Sequence, residues 1–402
     1  MSQINVCHVS TLTRWGGVES RLVEYLTHRK DQRLRHFAIA TSAIDEVVQE
    51  MRKVGVPVFI PQRRFHYDPT AIWQMARWMR AQRIDIVHTR NCMANCWGGL
   101  ATVLARVPVL IGGEHGTVWF TKPPMTWIER WIYHRANLVV ANSEASKRLL
   151  VYKRGLSAEK IRVIYNAVAF PSNVSSRKIL RRELDVAENE MIVGTIGRLH
   201  IQKDPFTLLR AAQLVIRERD DVRFIIIGGG PLEEELKRQA QLLNIDHKIV
   251  FTGWRRDVHA VLQLFDVFVA TSVYEPFGNT LVEAALSKKP VIAPKVDGIP
   301  EVVKDGETGL LLEPSGDVYL PSSPGASLLA PEVIINSSIT KPRAVSAEEL
   351  AQKINYLLDN PDLRRSLGEA GFERARRLFS LERYIKDLEN TYLSLYLRLE
   401  PR

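Results

Sequence analysis

Cysteine is scarce in this chain of 402 residues: there are three, Cys7, Cys92 and Cys96. Three is too few, and the wrong parity, for a disulfide framework. Cys92 and Cys96 have a C-x3-C spacing without a second pair to complete a zinc site, so they read as reduced thiols. Long apolar runs are also missing, and none approaches the roughly 20 residues of a membrane-spanning helix. The first apolar stretch, residues 4–10, is too short and too polar for a signal peptide and reads as an opening strand. A cytoplasmic location is the expectation. Acidic residues are sparse in one part only: residues 1–170 hold 12 Asp/Glu against 24 Lys/Arg, whereas the remainder holds 33 against 31. Such a basic half suits an anionic surface or an anionic ligand. Nucleic acid is a poor candidate, because no recognised nucleic-acid motif accompanies the charge.

What is present is ordinary in bulk, with 46% apolar and 25% charged residues, as in soluble globular proteins. The length predicts two or three domains. Short β-branched runs alternate with helical patterns throughout. Strands are predicted at residues 4–10, 36–40, 56–60, 86–89, 109–111, 138–141 and 163–165, and then at 192–196, 223–227, 249–252, 267–270, 291–293 and 309–312. Strands separated by helices imply parallel sheets built from βαβ units. Two such series predict two doubly wound α/β domains, with ligands at the carboxyl ends of the strands. The polar stretch 171–176 marks a join, giving a first domain over 1–170, a linker over 171–190 and a second domain over 191–380. A Pro- and Ser-rich segment, 320–345, is long for a structureless loop and reads as an insertion.

The most informative stretch is Glu275 to Leu286, EPFGNTLVEAAL. Pro276 disfavours helix at Glu275, and Gly278 frees the backbone of the turn. A helix is predicted to open near Asn279 and to carry Glu283 about one turn in. Its first turn offers unpaired N–H groups that suit a phosphate. A carboxylate on either side of that seat fits a ligand with a phosphate centre and hydroxyls at both ends, as in a sugar nucleotide. A capped helix with two solvated glutamates is the plainer alternative. Arg198 and Lys203, following a predicted strand and the Gly197 turn, are two cations able to neutralise a departing diphosphate. The run Gly228-Gly229-Gly230 lacks the third glycine of G-x-G-x-x-G, because position 233 is Glu233, and this disfavours a nicotinamide dehydrogenase.

These features resemble the retaining glycosyltransferases of the GT-B fold, the large group that includes family four. The resemblance rests on the E-x7-E element, Gly16-Gly17-Val18-Glu19, residues 194–199 with Lys203-Asp204, residues 227–231, residues 252–255 and residues 379–383, all in order. It implies two Rossmann-like domains facing across a cleft, with a final helix, about 381–402, crossing back to the first. It implies transfer of a hexosyl unit from a nucleoside diphosphate sugar, UDP ahead of GDP, to a hydroxyl on a lipid-linked or growing polysaccharide chain. Glu275 would orient the sugar, Glu283 the ribose and His115 a sugar hydroxyl, while Arg198 and Lys203 carry the leaving-group charge. Gly16, Gly17, Gly229, Trp254, Arg255, Phe277, Gly278, Asn279 and Thr280 complete the implied donor contacts, and Ser143 and Asn166 match positions near the cleft. The chain contains no D-x-D triplet, so no metal and no other cofactor is expected. Aromatic and basic residues mixed over 63–67 and 73–83 suggest peripheral contact with an anionic membrane, on the inner face of the plasma membrane. Trp127 and Trp131, spaced i,i+4 on a helix, read as core. A sugar-nucleotide epimerase or hydrolase of the same fold, or a non-catalytic subunit, is the alternative.

Overall fold

The computed structural model describes residues 3–12, 17–43, 45–65, 68–116, 123–169, 177–321 and 332–398. Gly16, His66, Tyr67, the polar stretch 171–176 and residues 322–331 of the insertion lie outside that description. The chain divides into two compact units, Met1–Ala169 with Ser380–Arg402, and Phe170–Phe379.

The first unit holds a seven-stranded parallel sheet: β1 (Ile4–Leu12), β2 (Leu34–Ala43), β3 (Val58–Phe59), β4 (Ile86–Arg90), β5 (Val109–Glu114), β6 (Leu138–Ala141) and β7 (Ile161–Val163). Their order is β3-β2-β1-β4-β5-β6-β7, so the winding reverses between β1 and β4. The last strand falls two residues earlier than the pattern predicts. Its ladder with β6 ends where Val163 meets Ala141, and Ile164 continues into the core beyond it. The final helix, Leu381–Leu397, belongs to this unit and buries Tyr384, Ile385, Leu388 and Tyr392.

The second unit repeats the plan with six parallel strands: β8 (Met191–Ile196), β9 (Val222–Ile227), β10 (Ile249–Gly253), β11 (Val267–Val269), β12 (Val291–Pro294) and β13 (Gly309–Leu312). The order β10-β9-β8-β11-β12-β13 reverses between β8 and β11. The doubly wound α/β architecture read from the strand pattern is therefore what the chain adopts. Both sheets are covered on two faces, which is why their strands are near-continuous β-branched runs rather than alternating ones. Packing against β8 is close: a Cβ on Gly194 would lie 2.0 Å from the ring of Phe265, in the turn before β11. That ring is 1% exposed, and its burial contributes roughly 2–3 kcal/mol.

The insertion, which the sequence marks as too long for a structureless loop, carries structure of its own. Its described end folds into an antiparallel hairpin, β14 (Val333–Ile335) and β15 (Ser338–Thr340), with Val333 and Ile334 buried. The turn residues Asn336 and Ser337 both have positive φ, 47° and 66°. This is the conformation that a two-residue turn needs if it is to match strand twist.

Candidate active site

The second unit places a small pocket at its winding reversal, lined among others by Gly197, Arg198, Lys203, Thr271, Ser272 and Thr280. Open parallel sheets bind ligands at this point, because the flanking loops diverge there and leave a crevice. Arg198 follows β8, and Lys203 ends the short turn Ile201–Lys203. Asp204 then caps the helix Pro205–Glu218, its carboxylate accepting from the Thr207 N–H at 3.3 Å and the Thr207 hydroxyl at 2.6 Å. Burial raises the Asp204 carboxyl to about 6. The loop is stitched to the strand end opposite: Thr271 Oγ1 donates to the carbonyls of Lys203 (2.7 Å) and Asp204 (2.9 Å), and Val273 N–H donates to Gln202 O at 2.9 Å.

Those contacts bring Lys203 to Glu275. Lys203 Nζ donates to Glu275 Oε2, and Ser272 Oγ approaches the same oxygen at 3.4 Å. The side chains are 25% and 13% exposed, so this is a partly desolvated ion pair rather than a surface one. Gly278 follows with φ 98° and precedes the helix Asn279–Leu286, as the turn chemistry of the sequence requires. Leu281, Val282, Ala284 and Ala285 face the core. Thr280 and Glu283, three positions apart, share the other side, so Glu283 stands one turn from the pocket wall.

Phe277 turns inward: its ring is 2% exposed and meets Phe379 edge-on at 5.3 Å, which anchors the turn in the core. The glycine run has a packing reason of its own. A Cβ on Gly228 would lie 2.0 Å from Gly197 O, and one on Gly230 would lie 2.4 Å from Leu199 O, whereas one on Gly229 would meet only Glu233 Oε2, at an ordinary 3.5 Å. Glycines 228 and 230 therefore let the β9 loop pass the Arg198 loop. Arg255 is engaged by Asp257 and Glu183 at 2.6 Å each. Trp254 is 61% exposed, with the Arg256 guanidinium over its ring at 5.8 Å.

The first unit gathers a separate set at the carboxyl end of its strands. Gly17 opens the helix Gly17–His28. His115 directly follows β5, and its carbonyl accepts from Asn142 Nδ2 at 3.2 Å. Arg90, the last residue of β4, brings Nη1 to His115 Nε2 at 3.4 Å and to the Tyr384 hydroxyl at 3.3 Å. An arginine can only donate, so His115 Nε2 accepts and its proton sits on Nδ1. Burial first, and Arg90 second, push the His115 imidazole down to about 3, against a hydrogen bond with the Asn166 side chain. His115 is thus a neutral hydrogen-bonding group. Arg90 is itself fully buried. Ser143 caps the helix Glu144–Arg154, its Oγ accepting from Ser146 N–H at 2.9 Å.

Sequence reasoning missed Arg90, Thr271 and Ser272. An arginine ending a buried β-strand was the available signal for the first. The other two stand in an unremarked strand-to-turn step. Trp127 and Trp131 are not core: they are 68% and 45% exposed, because the helix Met125–Arg135 turns Glu129, Ile132 and Tyr133 inward instead.

Two family models match in tandem: residues 15–169 the one described as Glycosyltransferase Family 4, and residues 176–319 the one described as Glycosyl transferases group 1. The chain belongs to the family 4 glycosyltransferases. Among curated relatives, it is 24% identical over 327 residues to the UDP-Gal:alpha-D-GlcNAc-diphosphoundecaprenol alpha-1,3-galactosyltransferase of Escherichia coli, covering 78% of this chain and 84% of that one. It is 28% identical over 324 residues to the alpha-maltose-1-phosphate synthase of Mycolicibacterium smegmatis, covering 75% and 76%. Among solved structures, HepE of Anabaena in complex with UDP-glucose superposes with a TM-score of 0.79 at 23% identity, covering 98% of this chain and all of that one. The family assignment and the superposition agree on the GT-B fold.

Proposed function

We propose that this glycosyltransferase takes a hexosyl unit from a nucleoside diphosphate sugar, UDP ahead of GDP, and transfers it with retention of anomeric configuration. The observation carrying this reading is the Lys203–Glu275 ion pair beside a pocket that Arg198 and Lys203 line together at the winding reversal of the second sheet. Two cations suit a leaving diphosphate without a metal, and a carboxylate beside them suits sugar hydroxyls. Glu283 is assigned to the ribose and His115 to a sugar hydroxyl. The leaving phosphate would deprotonate the acceptor on the same face of the sugar. A lipid-linked diphosphate or growing glycan is the acceptor class, supported by the basic first unit and by the acceptor named for the E. coli relative. In a thermal-shift panel of UDP, GDP, ADP and their sugar conjugates, UDP compounds are expected to raise the midpoint selectively, equally with and without EDTA. No shift with any of them would overturn the donor site.

Peripheral membrane contact belongs to the same reading. No helix among the described residues is long and apolar enough to cross a membrane. The first unit nevertheless exposes Phe65, Trp73, Trp127 and Trp131, with Arg77 over Trp73 and Arg135 over Trp131. Aromatic rings flanked by cations fit an anionic interface. Sedimentation with phosphatidylglycerol vesicles is expected to fall several-fold in Trp127→Ala/Trp131→Ala and with added salt. Equal sedimentation of this variant would remove the helix Met125–Arg135 from the contact.

A further inference from the structure

The hairpin β14–β15 reaches the candidate donor site through one residue. Asp297 lies in the loop after β12 with φ 46°, a left-handed conformation that few side chains other than Asn and Asp adopt. It is 5% exposed. Its carboxylate divides between two elements: Oδ2 accepts from the Glu275 N–H at 3.0 Å, and Oδ1 accepts from the Ile334 N–H at 2.7 Å. The backbone repeats the connection. Asp297 N–H donates to Ile334 O at 2.8 Å, and Gly298 N–H donates to Glu275 O at 3.0 Å. Both backbone groups of Glu275 and both of Ile334 are thus held by the dipeptide Asp297-Gly298. Val296 bridges Ile335 on the outer side, and a Cβ on Gly298 would lie 2.2 Å from Pro276 O. Asn336 on the hairpin turn donates to Glu313 at 2.8 Å, tying its far end to the residue after β13.

We propose that this hairpin braces the Glu275 turn, and that Asp297 is the positioning residue that transmits the brace. This rests on the reading of Glu275 as the ligand of the donor sugar. A turn opened by Pro276 and Gly278 does not hold one carboxylate direction by itself. Ordered backbone partners on both sides of Glu275 restrict it, and a buried carboxylate shared between two N–H groups is a strong restraint. A side chain kept in a left-handed conformation beside a candidate site is consistent with selection for placement rather than for stability alone.

Asp297→Gly separates the two roles. Glycine takes the positive φ without strain, so the variant keeps a folded chain, while both carboxylate bonds are lost. Amide hydrogen exchange of the full chain is the primary readout. Peptides over 273–278 and 333–340 are expected to exchange about tenfold faster together, with β8 and β9 unchanged. UDP release from UDP-glucose is expected to fall about tenfold with a raised KM, while the Kd for UDP stays within about twofold, because the lost restraint acts on the sugar contact and not on the diphosphate. Asp297→Asn keeps one acceptor oxygen and should recover part of both effects. Unchanged exchange at 273–278 in Asp297→Gly would overturn the brace. If Glu275→Ala left UDP-glucose turnover intact, the donor reading would fall, while the exchange result would still judge the brace.

Discussion

Glu275→Ala is expected to lower turnover of the nucleotide sugar about 100- to 1,000-fold, the range for removing one preorganised polar contact at a reacting centre, while UDP binds at least as tightly as to the parent chain. The second half follows from the ion pair. Lys203 donates to Glu275, so the lysine that would hold the diphosphate is partly occupied by the carboxylate that would hold the sugar. Removing the carboxylate releases the lysine. Lys203→Ala should do the reverse, weakening UDP about 10- to 100-fold, as expected for charge-assisted hydrogen bonds of about 1.5–3 kcal/mol. It also leaves Glu275 without its cation in a site where its side chain is only 13% exposed. Calorimetric titration of UDP alongside a UDP-release assay separates the two variants. Parallel loss of UDP affinity and turnover in Glu275→Ala would make this residue a support of the diphosphate site instead, and the division of labour proposed here would fail.

The sequence was legible where residue type and local geometry agree. Gly278 had to sit at positive φ before a helix, and it does so at 98°. The thirteen β-branched runs became the thirteen strands of two parallel sheets, because strands covered on both faces leave a strong apolar signal. What failed was long-range or brief. β14 and β15 have three residues each, and their apolar content is the Val333-Ile334-Ile335 step and Ile339. The available clue was Asn336-Ser337 between two β-branched runs, a two-residue hairpin turn. Phe277 looked like part of the donor site because it lies inside the motif, yet only its anchoring role against Phe379 is visible in the packing. Asp297 gave no signal, since the partners of its carboxylate are 22 and 37 positions away. Trp127 and Trp131 show the limit of i,i+4 spacing: it says that two residues share a face, not which way the face points.

Acidification is expected to destabilise the first unit before most of its carboxylates are protonated. His8, His36, His88 and His115 are all pushed down, chiefly by burial, and Arg90 adds to the push on each of them. His8 and His36 share a 3.0 Å hydrogen bond, and His88 bonds the Tyr392 hydroxyl at 2.8 Å, so the fold uses neutral rings. A histidine that is lower in the folded than in the unfolded chain gives stability that is fully present above about 6.5 and is lost as pH falls below that value. For His36 and His115, both held at about 3, the loss by pH 5 is on the order of 4 kcal/mol together. That is a large part of the ordinary 5–15 kcal/mol of a domain. Glu114 works in the opposite sense. Burial and the nearby Glu129 carboxyl raise it, so its contribution is present at low pH and is lost as pH rises above the ordinary glutamate range. Calorimetric melting should therefore show the midpoint dropping between pH 7.5 and 5, by less than the histidines alone would give, because Glu114 gains its proton over the same range and offsets part of their loss; Glu114→Gln removes that offset and should steepen the drop. Arg90→Met tests the cause. It removes a buried guanidinium together with its hydrogen bonds to His115 and Tyr384, so stability at pH 7.5 should fall only by that lost packing and hydrogen bonding. It also lifts the repulsion on the histidines, so the acid limb should move to lower pH. A midpoint independent of pH over this range, or an acid limb unmoved in Arg90→Met, would mean that the four rings do not set the acid stability of the unit.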